Sequence, residues 1–344
     1  MKQNKSKQVR CLFAMALVTI MLSIGSTDMK AKTRKSDNVT VSVAKWKDNK
    51  QAAVSYTFDD GLLEHYTELF PKLKEYGIKA SFAINGNTIN RYEKYLTEKD
   101  SSTDSLVITK PRMTWEMIRE MSDAGHEMSS HGWAHINIKK LKGEARRYEV
   151  QHNDTVIWQH TGVFPRTYFY PGNAKDSASV AYVSTDRAGT RTQQVSIGSK
   201  RNDEWLHKWV RDLIAEGAWG IGMTHGISRG YDHFRDPNIL WRHFEDVIKL
   251  QKADSIWIGT FHDVAAYEKE RYSISLNVKR QDKKIIVEPT LNLDPKIFNI
   301  PLTLIVNGNI ASAKQQGRDL KITRKGNNCL VDINPYGGVV EIRI

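Results

Sequence analysis

From residue 52 onward the chain alternates short apolar runs with amphipathic segments, and this alternation limits the possible folds more than any other feature. Residues 52–58 are rich in small, β-branched and aromatic side chains, a composition typical of a buried strand. Residues 62–76 repeat apolar side chains at helical spacing, and Gly77 ends the run. Because strands that alternate with helices form parallel sheets, open or closed into a barrel, the sequence predicts an α/β fold.

The alternation continues as far as residue 271. Further strands are predicted at 78–84, 126–130, 167–170, 219–224 and 255–261. Further helices are predicted at 114–123, 143–162, 203–216, 237–251 and 264–271, with a short helix near Tyr92 inside a polar stretch. In folds of this kind the functional side chains gather at the carboxyl ends of the strands.

After residue 271 the helical periodicity disappears. Apolar and polar residues alternate over 273–278, 284–287, 302–306, 320–323, 329–333 and 339–344, with turn-forming residues between these runs. This pattern predicts a small, β-sandwich-like domain. The expected division is therefore a leader at 1–31, an N-terminal extension at 32–50, the α/β domain at 51–271 and the β domain at 272–344. For the β domain we favour a structural role over glycan binding.

The first 31 residues have the layout of a secretory signal peptide. Basic residues precede an apolar run from Cys11 to Ile24, and the small residues Gly25 and Ser26 follow it. The apolar run is short for a membrane span, and an uncleaved anchor is the alternative. We therefore expect an exported protein that is periplasmic, on the cell surface or secreted, with no stable membrane span after cleavage.

The charge of the chain narrows its expected partners. The formal net charge is +12, and removal of residues 1–31, with their five basic residues and one acidic residue, leaves about +8. A positive surplus favours acidic polymers such as uronate- or sulfate-bearing glycans. There is no basic-aromatic nucleic-acid motif, so nucleic acid is not an expected partner. Only Cys329 would remain after cleavage, and its apolar, alternating surroundings predict a buried, unpaired thiol.

Polar clusters come directly after four of the predicted strands. They are Asp59-Asp60, then His131 and His135, then Pro171-Gly172-Asn173, and finally His225. Taken alone, the aspartate pair could form an ordinary turn and the histidine pair could be a packing feature. Since the carboxyl ends of parallel strands meet at one edge, their joint placement predicts a functional site.

The residue types in these clusters suit a catalytic metal site. Two histidines four residues apart can share one face of a helical turn and bind a metal. One carboxylate completes a three-ligand set that leaves a position open for water. A second carboxylate beside the metal can act as a general base. Asp59 and Asp60 together offer both carboxylate roles.

Two of these motifs resemble a known family. Thr57-Phe58-Asp59-Asp60-Gly61 followed by His131-Gly132-Trp133-Ala134-His135 is similar to the polysaccharide deacetylase, or NodB-homology, family over roughly residues 50–270. The resemblance implies a distorted (β/α) barrel of parallel strands and a divalent metal, usually Zn²⁺. Carried over by position, it implies Asp59 as general base, Asp60, His131 and His135 as metal ligands, and His225 as general acid.

The third cluster departs from the family pattern. Phe169 stands where the family often has an arginine that pairs with the base, and Arg166 lies three residues earlier. The Gly172 backbone N–H can still act as an oxyanion donor, because it needs no side chain. For the aspartate that orients the general acid, Asp203 is only a weak candidate.

These observations predict a metal-dependent hydrolase that removes acetyl groups from an oligo- or polysaccharide. Trp133, Tyr170 and Asn173 are the candidate substrate-binding residues, since flat rings suit sugar faces. One alternative is a serine esterase, because Gly226-Ile227-Ser228-Arg229-Gly230 fits the nucleophile-elbow pattern, although no helix follows it directly. The other alternative is a glycan-binding protein on the same fold without catalysis.

Overall fold

The computed structural model describes residues 39–90 and 111–344, and Val39–Ile344 forms one compact unit. The predicted signal peptide at 1–31, residues 32–38 of the predicted extension, and the short helix near Tyr92 lie outside the described residues. Among the described residues, no helix has both the length and the apolar character needed to cross a membrane.

The first part of the described chain alternates strands and helices, as the sequence predicts. Its strands are β1 Val41–Val43, β2 Ala52–Asp59, β3 Ser81–Ile84, β4 Glu127–Ser130, β5 Thr167–Phe169, β6 Gly189–Arg191, β7 Val195–Ser196, β8 Trp219–Thr224 and β9 Ile256–Ile258. Its helices are α1 Phe70–Tyr76, α2 Trp115–Asp123, α3 Gly143–Arg147, α4 Asn153–Thr161, α5 Ser177–Val183, α6 Asp203–Glu216, α7 Asn238–Lys252 and α8 Phe261–Ser273. A π-helical turn precedes α1 at His65–Leu69, and another joins α3 to α4 at Tyr148–His152.

Eight of these strands form one parallel sheet that curls into a half-barrel. Its strand order is β6-β5-β4-β3-β2-β8-β7, with β9 paired to β2. Along one edge of β2, β9 pairs with Ala52–Val54 and β3 pairs with Thr57–Asp59, while β8 takes the other edge. Because two strands share one edge of β2, the sheet departs from regular barrel pairing, and the predicted distorted barrel of parallel strands is confirmed.

Most predicted elements are present, and two of them have the predicted bounds, α6 and β8. Thr114 caps α2 as expected, because its side chain accepts a hydrogen bond from the Met117 backbone N–H. The predicted helices 62–76 and 143–162 both contain a π-helical turn, which apolar periodicity does not reveal. The elements α5, β6 and β7 were not predicted, because they are short and two of them are polar.

The last part of the chain is entirely β-sheet, as predicted. Its strands are β10 Ser275–Gln281, β11 Lys284–Thr290, β12 Leu302–Asn307, β13 Ser312–Gln315, β14 Arg318–Asp319, β15 Ile322–Lys325, β16 Asn328–Ile333 and β17 Val340–Arg343. They form two antiparallel sheets, β1-β12-β16-β15 and β10-β11-β17-β13-β14. The first sheet includes β1, so the segment before the parallel sheet contributes a strand to the β part of the molecule.

The β part shares a hydrophobic core with the half-barrel. Five residues from outside it, Trp46, Ala53, Trp257, Val264 and Tyr267, are buried together with side chains from both antiparallel sheets. The Tyr267 hydroxyl also donates to the Ala44 carbonyl over 3.0 Å. Cys329 lies in this core, buried and unpaired as predicted. The boundary at residue 271 stays a prediction, and the shared core implies that the two parts stabilise each other.

We predict that removal of residues 272–344 destabilises the remaining chain, because it exposes the apolar side chains of Trp46, Trp257, Val264 and Tyr267 to water. The truncated protein should aggregate or unfold at a lower temperature, as measured by size-exclusion chromatography and thermal denaturation. Val278→Lys, a single change at an exposed position of β10, is the control and should keep the parent Tm. A truncated monomer with the parent Tm would contradict the shared core.

Candidate active site

The carboxyl ends of the parallel strands open into a cavity of about 670 Å³. The described residues that line it all lie between Asp59 and Asp232 in the sequence, so the β part contributes none of them. The predicted residues that line it are Asp59, Asp60, His131, His135, Tyr170, Gly172, Asn173 and His225. The sequence clusters at four strand ends therefore meet in one place.

The turn after β2 sends two neighbouring carboxylates in different directions. Asp60 and Gly61 both have positive φ values, 79° and 60°, so the chain reverses directly after Asp59. This conformation is uncommon for a residue with a side chain, and two contacts hold it. Arg112 Nη1 donates to the Asp60 carbonyl over 2.7 Å, and the Met113 N–H donates to the Gly61 carbonyl over 3.0 Å.

Asp60, His131 and His135 form a set of three possible metal ligands. Their candidate donor atoms all lie within 4.8 Å of one another. The Asp60 Oδ1 atom is 3.7 Å from His131 Nε2 and 3.5 Å from His135 Nε2. That oxygen is buried and has no hydrogen-bond partner, which is costly unless a cation binds there. This orphaned oxygen, together with two imidazoles, fits a divalent metal.

A second contact prepares His131 for this role. Its Nδ1 lies 2.7 Å from the Phe169 carbonyl, so the N–H is on Nδ1 and the lone pair is on Nε2. Burial lowers the pKa of His131 to about 4 despite the nearby Asp59 and Asp60, so the imidazole is neutral at neutral pH. A neutral histidine with an oriented ring is what metal binding requires.

The histidine pair meets through a loop and not through the helical turn that its spacing indicated. Residues 131–135 are not helical, and Gly132 and His135 have φ values of 76° and 58°. Glu149, from the π-helical turn, holds the loop by accepting hydrogen bonds from the backbone N–H groups of Ala134 and Ile136. A Cβ at Gly132 would lie 2.6 Å from the Glu149 carboxylate, so the close approach requires glycine.

Asp59 is buried and paired with Arg191, a residue that no pattern in the sequence indicates. Arg191 Nη1 and Nη2 donate to the two oxygens of Asp59 over 2.7 and 2.5 Å, and Nη1 also donates to Thr57 Oγ1 over 2.8 Å. Burial alone would raise the pKa of Asp59, but the Arg191 guanidinium holds it well below its usual range, with smaller help from His131 and His225. Asp59 is therefore ionised at neutral pH.

Arg191 pairs with Asp59 in the way expected of the family's arginine, whose position in the sequence is held by Phe169. The two residues are register partners on β5 and β6, and the Arg191 guanidinium lies 4.2 Å from the centre of the Phe169 ring. Arg166, the nearest arginine in sequence, instead faces the Asp186 carbonyl on the surface. The arginine comes from the neighbouring strand, so the missing arginine in the third motif does not leave the aspartate unpaired.

His225 lies at the end of β8 with Asp232 beside it. His225 Nδ1 and Asp232 Oδ2 are 3.8 Å apart, longer than a direct hydrogen bond, so they interact mainly as charges. Burial alone would lower the pKa of His225, but Asp232, Asp59 and Asp60 outweigh it and raise that pKa. Asp203 does not orient His225, because it is paired with Arg242 outside the cavity.

These features agree with a comparison to known families. Residues 47–187 match the family model described as Polysaccharide deacetylase. This segment is therefore similar to the polysaccharide deacetylase family. The matched segment includes the aspartate pair and the histidine pair, whereas Arg191, His225 and Asp232 lie beyond it.

Individual proteins that are similar to this chain share little sequence identity with it. The chain is 21% identical over 302 residues to a gellan lyase from Bacillus sp, covering 77% of this chain and 11% of that protein. It is 27% identical over 115 residues to a chitin deacetylase from Pestalotiopsis sp, covering 33% of this chain and 32% of that protein. The chain thus spans about a tenth and a third of the lengths of these relatives.

A solved structure of the Bc1960 peptidoglycan N-acetylglucosamine deacetylase also aligns with this chain. The TM-score is 0.45 and the sequence identity is 16%, with 63% of this chain and 88% of that chain covered.

The remaining predicted residues divide between the cavity wall and its surroundings. Tyr170 lines the cavity, and its hydroxyl donates to Thr190 over 3.0 Å. Gly172 also lines the cavity, with a φ of 59° and nothing within 4 Å of the place of a Cβ. Trp133 is not among the lining residues, because its ring packs against Gly86 and His152. A substrate contact through Trp133 therefore has no support from its position.

The loop that carries His225 is fixed by two residues that sequence reasoning missed. Both oxygens of the buried Glu64 carboxylate accept backbone N–H groups, from Ile227 over 2.8 Å and from Ser228 over 3.0 Å. His65 Nε2 donates to the His225 carbonyl over 2.7 Å. Glu64 and His65 lie at the start of the π-helical turn, so the element that follows the aspartate turn in sequence also holds the loop of His225.

We predict that Arg191→Gln lowers both stability and activity, because it leaves Asp59 buried without its charge partner. The loss of one partner of a buried ion pair costs about 3–5 kcal/mol. Thermal unfolding and acetate release measure the two effects. Arg166→Gln, which removes the surface arginine, is the matched control and should change neither. Equal behaviour of the two variants would mean that the Arg191 pair has no role.

We predict that Asp232→Asn moves the alkaline limb of the pH–activity profile to lower pH, by about one unit. If His225 is the general acid that the family resemblance implies, it must be protonated to act, and activity falls as the pH rises through its pKa. Asp232 raises that pKa, and its neutralisation lowers it. Asp236→Asn is the control, since Asp236 lies near Arg242 and does not line the cavity. An unshifted limb in Asp232→Asn would remove Asp232 from this role.

Proposed function

We propose that this protein is an exported, metal-dependent carbohydrate deacetylase that hydrolyses acetyl groups from an acetylated oligo- or polysaccharide. The observation that carries the proposal is one cavity that contains a three-ligand set, an arginine-paired aspartate and a histidine with a carboxylate beside it. The family of residues 47–187 supports the same reaction.

Asp60, His131 and His135 would hold the metal ion, for which we propose Zn²⁺. When bound, the ion supplies Lewis acidity toward water and the acetyl carbonyl. The orphaned Asp60 oxygen and the neutral His131 ring support this ligand set.

Asp59 is the proposed general base. Its carboxylate is ionised, and Arg191 fixes its orientation through two parallel hydrogen bonds. An oriented carboxylate beside the ligand set can accept the proton of the attacking water. The carbonyl oxygen then gains negative charge, and the open backbone of Gly172 is the proposed donor to it.

His225 is the proposed general acid. The carboxylates around it raise its pKa and favour the protonated imidazolium, which can give a proton to the departing amine or alcohol. Tyr170 and Asn173 form part of the cavity wall and are the proposed contacts to the sugar. Export is proposed from the signal-peptide pattern of residues 1–31.

The two alternative functions have weaker support. The absence of the usual arginine in the third motif favoured a non-catalytic glycan-binding protein, but Arg191 pairs with Asp59 from the next strand. The serine esterase depended on Ser228, whose hydroxyl donates to Glu68 and which is not among the lining residues of the cavity. Metal-dependent deacetylation therefore accounts for more of the cavity.

We predict that exhaustive chelation abolishes acetate release from acetylated glycans and that added Zn²⁺ restores it. The metal-loaded protein without residues 1–31 should be screened against N-acetylated and O-acetylated glycans, with released acetate as the measurement. Full activity in a sample verified as metal-free would refute the proposed ligand set.

The two adjacent aspartates provide matched variants for this test. Asp59→Asn should retain bound Zn²⁺ and lose turnover, because the ligands remain and the base is gone. Asp60→Asn should lose affinity for the metal, because a charged ligand becomes neutral. Metal content by atomic spectroscopy separates the two cases. If Asp59→Asn empties the site and Asp60→Asn does not, the two roles are reversed.

A further inference from the structure

One part of the cavity wall is the segment 194–201, which lies between β6, the strand of Arg191, and α6. Gln194, Ser196, Ser199, Lys200 and Arg201 line the cavity from this segment. Two of these five are cationic and lie side by side in the sequence. No role in the proposed hydrolysis uses either cation, so their presence in the wall requires its own explanation.

The segment is held firmly against the catalytic side of the cavity. The Asp232 carboxylate accepts from Ser196 Oγ over 2.9 Å and from the Ser199 N–H over 3.3 Å. At Gly198 a Cβ would lie only 2.2 Å from the Asp232 carbonyl oxygen, so the two backbones touch. Lys200 and Arg201 are therefore carried by a fixed part of the cavity and not by a free surface loop.

Arg201 is also oriented by its own contacts. Its Nε donates to the Ser196 carbonyl over 3.1 Å, and its guanidinium carbon lies 3.8 Å from the centre of the Trp205 ring. These contacts leave the two terminal amino groups for another acceptor. A planar guanidinium held in this way matches the two oxygens of a carboxylate.

Neither cation has an acidic partner among the described residues. Nearby cations on α6 and α7 do have one, since Lys208 pairs with Asp212 and Arg242 pairs with Asp203. The three acids of the cavity lie beside other groups: Asp59 pairs with Arg191, Asp60 faces the histidine pair, and Asp232 lies beside His225. The rim therefore presents uncompensated positive charge to a ligand in the cavity, and such charge favours anions.

We infer that the substrate is an acidic glycan, with a carboxylate-bearing sugar close to the acetylated one, and that Lys200 and Arg201 bind this carboxylate. The inference rests on the proposed function for the identity of the site. It goes beyond that function because it selects uronate-containing glycans over neutral ones. The two residues act on binding and not on the chemical step.

Binding of glycans without acetyl groups tests the inference independently of hydrolysis. Trigalacturonate and the neutral cellotriose, neither of which carries an acetyl group, are titrated into the metal-loaded protein by calorimetry. Trigalacturonate should bind more tightly than cellotriose, and its Kd should rise with salt concentration. Lys200→Gln and Arg201→Gln should each weaken trigalacturonate binding by about threefold to tenfold and leave cellotriose binding unchanged.

The matched control is Lys74→Gln, which removes an exposed lysine of α1 that does not line the cavity. It should bind trigalacturonate as the parent does. Equal affinity for the charged and neutral trisaccharides, or equal weakening by Lys74→Gln, would overturn the inference. A sulfated trisaccharide provides a further arm, and binding as tight as that of trigalacturonate would overturn the assignment of a carboxylate.

Acetate release from acetylated polygalacturonate and from its methyl ester separates the two levels of the proposal. On the charged polymer, Arg201→Gln should raise KM by about threefold to tenfold and change kcat by less than about twofold. On the methyl ester it should change neither. Acetate release with the same KM for both polymers would refute the preference for an acidic substrate and leave the proposed deacetylase function intact. No release from any acetylated glycan would refute the proposed function itself.

Discussion

The site depends on the pairing of Asp59 with Arg191, because this interaction places a full negative charge inside the folded chain. Both side chains are nearly inaccessible to water, at 4% and 1% exposure. Two parallel hydrogen bonds, a third to Thr57 and the face of Phe169 replace the lost hydration of the guanidinium and the carboxylate. The pair connects β2 to β6, at opposite ends of a run of five strands, and so requires the sheet to curl.

The curl in turn explains how neighbouring aspartates acquire different environments. Asp59 is the last residue of β2 and points into the curled sheet, where its carboxylate accepts hydrogen bonds from Arg191. Asp60 follows in a left-handed conformation and turns its buried Oδ1 toward the two imidazoles. In a regular strand, successive side chains point to opposite faces, so only one of the two carboxylates would reach the cavity. The turn after Asp59 instead lets both carboxylates line the cavity. One short turn therefore serves the proposed base and the proposed ligand.

Much of this arrangement could be predicted from the sequence, and the exceptions have physical reasons. Asp60, His131 and His135 could be selected because their types suit a metal and they come after strands. Arg191 could not, since it lies on a three-residue polar strand, and its partner is distant in sequence. Asp232 was missed for a similar reason, because it lies in a loop after β8 and only the folded chain brings it to His225.

The predicted helical conformation of residues 131–135 is wrong for a different reason. A spacing of four residues is compatible with a helical turn, but Gly132 adopts positive φ and Glu149 accepts from the backbone on the inside of the loop. The π-helical turns that supply Glu149, and Glu64 and His65 on the other side of the cavity, leave no trace in apolar periodicity. Sequence patterns thus indicated the first contacts of the site and not the residues that hold them.

Asp232 links the chemistry of the site to the recognition of its ligand. Its carboxylate faces His225, accepts from Ser196 and Ser199, and its backbone oxygen accepts from Thr224 at the end of β8. The same residue therefore raises the pKa of the proposed acid and anchors the segment that carries Lys200 and Arg201. Among the described residues, Asp232 lies within ion-pair distance of His225 and of neither Lys200 nor Arg201. The position of this one carboxylate therefore bears both on the pKa of the proposed acid and on the placement of the cationic rim.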